Sequence, residues 1–157
     1  MATRSTIALE YPNGEIRQIY CHWDGYLSNN GKILVESYND AGKVNELMDL
    51  GSLSSLNAEI GVKHPFDAPE FGTPEYDKFK ETYGNMCFAY GRDRGEEDTD
   101  AQKYKNFDDY CSNFHEEDYN YILRNDGVWY VKSFNDQGFV PLVEAIIEEM
   151  RSEEEDD

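Results

Sequence analysis

Two short segments constrain this chain more than any other feature. Pro12-Asn13-Gly14 separates a run over 5–11, alternating around Ile7 and Leu9, from a run over 16–23 rich in β-branched and aromatic residues. Asn125-Asp126-Gly127 separates Asp118–Arg124, alternating around Tyr119, Tyr121 and Leu123, from Val128–Phe134. Asn-Gly and Asp-Gly pairs reach positive φ readily and match the twist of paired strands. Each segment therefore predicts a β-hairpin, with strands over 5–11 and 16–22 and over 118–124 and 128–134. Strands joined by such turns run antiparallel.

Between the hairpins the periodicity is helical. Ile33, Leu34, Val35 and Tyr38 predict a short helix over 31–38. Asn39-Asp40 can cap a second helix over 41–50, with Val44, Leu47, Met48 and Leu50 on its apolar face and Gly51 at its end. Ser52–Leu56 reads as a short strand or turn. Pro65, Pro69 and Pro74 crowd the least regular stretch, which leaves room for one or two helical turns over 75–82. Residues 86–90 predict a strand and 105–113 a short helix. Pro141 fits the first turn of a helix over 141–151, with Leu142, Val143, Ile146, Ile147 and Met150 at helical spacing. The expected architecture is an α+β fold: an antiparallel sheet of about five strands, in two hairpins, with helices packed mainly on one face. A single domain is expected over 1–152, followed by a disordered acidic tail over 153–157.

The chain has 157 residues and a formal net charge of −19. Aromatic residues make up 14 % of it, too many for a disordered chain. A net charge of this sign opposes direct binding to nucleic acid or to an anionic membrane surface. The first apolar stretch is only Ile7-Ala8-Leu9, too short for a secretory signal, and Cys21, Cys87 and Cys111 are an odd set. A cytoplasmic location with reduced thiols is expected.

Four constellations bear on chemistry. Cys21-His22-Trp23-Asp24 offers a nucleophile pair, a metal-ligand pair or an ordinary strand end. Adjacent strand residues point to opposite faces, so Cys21 and His22 cannot act on one another. Cys111 and His115 have the spacing of half a zinc site, but the other candidates (Cys21, His22, His64, Cys87) are scattered singly. Gly91-Arg92-Asp93-Arg94-Gly95 reads as a phosphate-binding turn or, better, as an internal ion-pair network, since Glu96-Glu97-Asp98 follows at once. No phosphate loop, serine-hydrolase elbow or His-Glu-x-x-His motif occurs, and no cofactor is expected.

The charge distribution is more informative. Acidic side chains outnumber basic ones 7 to 4 in residues 1–50, 11 to 5 in 51–100 and 15 to 5 in 101–157. Without the last five acids the charge is still −14. Solubility needs a magnitude of only about 2–8 in a small domain, although a solvated surface is the plain alternative reading. Carboxylates spaced on a rigid scaffold can imitate the phosphates of a duplex, about one charge per 1.7 Å of helix axis. Glu96, Glu97, Asp98, Asp100, Asp108, Asp109, Glu116, Glu117 and Asp118 form two dense clusters outside the expected strands and are the candidate partner-binding residues.

Thr3–Glu10 and Gln18–Tyr26, Ala89–Glu96, and Tyr119-Asn120-Tyr121 with Val128–Val131 resemble blocks in a group of small acidic bacteriophage and prophage proteins. The likeness spans most of the chain apart from about 57–83 and the tail. It implies a phage-related origin and carries no residue roles. By analogy of class, small acidic phage proteins are often inhibitors of host machinery, anti-CRISPR and anti-restriction proteins among them.

The leading expectation is a non-enzymatic, phage-encoded inhibitor in the host cytoplasm. It would bind a nucleic-acid-handling defence protein and occlude its basic site. One alternative is a small enzyme with His22, Asp24 and Cys87 around a cleft. Another is a protein–protein adaptor anchored by exposed tyrosines.

Overall fold

Both hairpins form where the Asx-Gly turns place them. In the computed structural model, which describes residues 2–134 and 136–155, strand β1 (Ser5–Glu10) pairs antiparallel with β2 (Ile16–Cys21). The two turns close in the same way. The Tyr11 N–H donates to Glu15 O and the Gly14 N–H to Tyr11 O, both at 2.8 Å, while the Asn13 side chain accepts from the Glu15 N–H. In the second hairpin Arg124, Asp126, Gly127 and Val128 repeat these bonds. Gly14 and Gly127 take φ of +91° and +79°, the left-handed region that the turn requires.

A π-helical turn (Leu27–Gly31) runs into helix α1 (Lys32–Ser37), followed by α2 (Ala41–Leu50), β3 (Leu53–Ser55), α3 (Pro74–Tyr83), β4 (Phe88–Ala89) and α4 (Tyr90–Arg94). Then come β5 (Gln102–Tyr104), α5 (Phe107–Asn113), β6 (Tyr119–Leu123), β7 (Trp129–Ser133), β8 (Val140–Pro141) and α6 (Leu142–Glu155). Asp40 caps α2 by accepting from the Gly42 N–H, and Thr73 caps α3 ahead of Pro74.

The sheet corrects the expected one. Among the described residues it has eight strands, in the order β4-β3-β2-β1-β6-β7-β8 with β5 also on β2, and it is mixed. β1 runs parallel to β6, and β2 parallel to β3. Period-2 patterning marks a strand's faces and says nothing of its direction, so two hairpins do not make a wholly antiparallel sheet. The parallel β1–β6 pairing lays the two turns side by side. There the Asn125 N–H donates to Glu10 Oε1 at 3.0 Å, its side chain donates to Tyr11 O at 2.9 Å, and Arg124 pairs with Glu10 at 3.2 Å. That clamp exists only because the hairpins point the same way.

β1 is central and its first five residues are buried. Ile7, Leu9 and Tyr121 meet Leu34, Val44, Leu47, Met48 and Leu142 from α1, α2 and α6 on one face. Polar groups in this layer have partners: Trp129 Nε1 donates to Tyr38 O, Tyr121 OH to Gly25 O, and Tyr38 OH to Asn57 O. The other face is not bare. Ala8, Ile16 and Ile122 pack under Tyr104 and Tyr110, with Phe107, Phe114 and Phe139 around them. The helical cover is thus divided, with α5 opposite α1, α2 and α6. At the C-terminus α6 continues through Glu155, so 153–155 are helical where a tail was expected; Asp156 and Asp157 lie outside the described residues.

Candidate functional site

Two strands share the outer edge of β2. β5 takes its first half, with Ile16 opposite Tyr104 and Gln18 opposite Gln102. β3 takes its last residue, with Cys21 opposite Leu53. Ile19 and Tyr20 are left between them, and a cavity of about 260 Å³ opens there.

The acidic loop after α4 forms one wall. Gly51 (φ +83°) ends α2 and turns the chain into β3, where the Ser52 N–H donates to Thr99 O at 2.8 Å. A Cβ at position 51 would lie 2.3 Å from Thr99 O, so only glycine lets the loop sit this close. Asp98 and Asp100 flank Thr99 and line the cavity, Asp98 itself in the left-handed region at φ +59°.

The segment after α5 forms the opposite wall. Asn120 is fully buried on β6, and its side chain is saturated. Its Oδ1 accepts from Thr6 Oγ1 and the Glu117 N–H, and its Nδ2 donates to Glu117 O and Lys132 O. This pins Glu117, whose side chain is 14 % exposed and lies 3.1 Å from His115 Nε2. Gln18, Tyr20 and Gln102 contribute from the sheet. The fold therefore brings Asp98, Asp100 and Glu117 from the two acidic clusters to one concavity, which His115 also lines; no lysine or arginine among the described residues does.

The remaining candidates divide by role. Glu97 and Asp108 are exposed and have no ion pair among the described residues; Glu96 is exposed and 4.0 Å from Arg94. Asp109 serves α5 and its approach, accepting from the Lys105 N–H and the Asn113 side chain. Glu116 pairs with Lys132. Asp118 is exposed and accepts from the Arg4 N–H at 3.1 Å.

His22, Asp24 and Cys87 are joined by no hydrogen bond or ion pair among the described residues. His22 Nδ1 lies 2.7 Å from Tyr20 OH. Asp24 lines a separate cleft with Trp23, Tyr76, Phe79 and Lys80. Cys87 is buried against Tyr38 OH at 3.3 Å, and burial pushes its thiol up. Cys21 is likewise buried on the opposite face of β2 from His22, and desolvation pushes it up to about 12. Cys111 is exposed, and no group of three or more His, Cys, Asp or Glu among the described residues is placed to hold a metal ion. Of the twelve tyrosines only Tyr26 is more than about a third exposed, so no tyrosine patch forms. The exposed apolar groups include a stripe on α6, Val143, Ile147 and Met150.

The arginine-rich turn is an ion-pair network, and sequence reasoning missed its centre. The Asp93 side chain is fully buried; its carboxylate accepts from Arg92 Nε at 2.9 Å and from the Ala89 and His64 N–H groups. Burial works against this carboxylate, but the Arg92 guanidinium and the two N–H groups outweigh it and hold it below its ordinary range. His64, also buried, lies 3.5 Å from Asp93 Oδ2, with its ring nitrogens facing Pro65 O and Cys87 O. A lone histidine in a proline-rich stretch gave no hint of this role. The network ties the irregular 57–72 stretch to the strand that precedes the acidic loop.

No helix among the described residues is long and apolar enough to cross a membrane. No protein-family model, curated protein or solved structure matches the chain.

Proposed function

We propose that this protein is a phage-encoded, non-enzymatic inhibitor that binds the basic nucleic-acid site of a host defence protein, of the anti-CRISPR or anti-restriction kind, in the host cytoplasm. One observation carries the reading. Glu97, Asp98, Asp100 and Asp108 are exposed and have no ion pair among the described residues. Charge left uncompensated within the chain raises self-repulsion, and a cationic partner relieves it. Such a surface also speeds encounter with a positive channel.

Capture from a bacterial host lysate tests this. Wild-type protein retains a nucleic-acid-binding protein at low salt, releases it at high salt, and releases it to added duplex DNA. A variant with Glu96, Glu97 and Asp108 changed to Lys retains none. Retention that ignores salt, DNA and charge reversal overturns the proposal.

A further inference from the structure

Helix α6 carries an apolar stripe that no element among the described residues covers. Val143, Ile147 and Met150 are 50 %, 44 % and 54 % exposed. They stand at i, i+4 and i+7, along one side of the helix. The core holds α6 from another side: Leu142 is fully buried, and Ala145 and Ile146 pack against the core cluster. Val140 on β8, also about half exposed, stands opposite the buried Val131 and so shares the face of the sheet that α6 covers.

Beside the stripe a cavity of about 210 Å³ lies between α6 and the π-helical turn. Leu27, Ile146 and Met150 give it apolar walls, with Lys32, Glu149 and Glu153 at its polar ones. It is smaller than the roughly 300–1,000 Å³ of pockets for drug-sized ligands and suits one side chain.

Charge selects the occupant. With six glutamates and one arginine α6 carries a net −5, so a second copy laid along it is repelled. An anionic membrane repels it too, and helices that lie on membranes carry Lys and Arg on their polar face. Glu144 and Glu148 are exposed beside the stripe, and Glu154 continues its line one turn on. A partner helix with an apolar face between basic side chains matches both features, apolar against apolar and cation against carboxylate.

We propose that α6 docks a basic amphipathic helix of a protein partner. Val143, Ile147 and Met150 form the apolar seam, one partner side chain enters the cavity at Leu27, and Glu144, Glu148 and Glu154 face its lysines or arginines. No carboxylate of residues 96–118 takes part, so the two surfaces stand or fall separately.

The probe is a helical peptide as long as α6, with leucine on one face and lysine on the other. One control is a shuffled peptide of the same composition without an apolar face, and a second has glutamate in place of lysine. The readout is the ¹⁵N–¹H spectrum of the intact protein. The expected result is saturable shifts along α6 and at Leu27–Gly31, about tenfold weaker binding of the shuffled peptide, and none of the glutamate peptide. Val143→Ser with Ile147→Ser, at exposed positions, weakens binding by about tenfold. Glu144→Gln with Glu148→Gln lowers its salt dependence. Unchanged β1 and β2 resonances show that each variant is folded. Shifts confined to residues 96–118, equal binding of either control peptide, or binding unchanged in both variants overturns the proposal. So does a dimer in sedimentation that the serine variant dissolves, since the occupant is then a second copy. Reversal of Glu96, Glu97 and Asp108, which are not on α6, tests the acidic-loop reading separately.

Discussion

Gly51 and Thr99 lie so close that a methyl group at position 51 would sit 2.3 Å from the Thr99 carbonyl oxygen. This approach seats the acidic loop on β3 and sets Asp98 and Asp100 at the cavity. Gly51→Ala must move the loop and place alanine at φ +83°. A loss of about 2 kcal/mol is expected in chemical denaturation, from left-handed strain plus the clash.

Asn120 holds the other wall. Asn120→Ala removes the partner of Thr6 Oγ1 and of backbone groups of Glu117 and Lys132. About 2–3 kcal/mol of stability is lost, since several buried polar groups go unsatisfied. In spectra of the folded variant, Glu117 and His115 shift more than residues of β1.

The Arg92–Asp93 pair predicts an acid limit. Removing one partner of a buried pair strands the other, so Asp93→Asn costs about 3 kcal/mol in urea denaturation. Asp93 has a folded pKa below its ordinary 3.8, so its contribution is complete above about pH 4. It is lost as the pH falls through the lowered folded value. Wild type therefore loses stability below pH 4 more steeply than Asp93→Asn does.

The hairpins and α2 were legible in the sequence because their signals are local: Asx-Gly turns, alternation around Ile7 and Tyr121, and an aspartate ahead of a 3.6-residue period. The parallel β1–β6 pairing was not, because it joins segments about 114 residues apart and no local signal marks it. β5 and β8, at three and two residues, are too short to show a period, and their partners make them strands. For the same reason the acidic clusters could be located but not sorted. Nothing in their spacing separates Asp109, which serves α5, from Asp98, which lines a cavity.

Thiol accessibility checks the packing. Cys21 and Cys87 are buried with raised thiols, and Cys111 is exposed on α5. A thiol-disulfide reagent at pH 8 modifies one cysteine per native chain, Cys111, and three after unfolding. Rapid native modification of Cys21 or Cys87 would contradict the core described.

The central claim is that uncompensated carboxylates bind a cationic protein site. The salt dependence of affinity for the captured host partner, between roughly 0.05 and 0.5 M, tests it most directly. The account predicts affinity that falls steeply with salt, and a slope that flattens when Glu96, Glu97 and Asp108 are changed to Lys. A flat dependence in the wild type, or an unchanged slope in the variant, would contradict it.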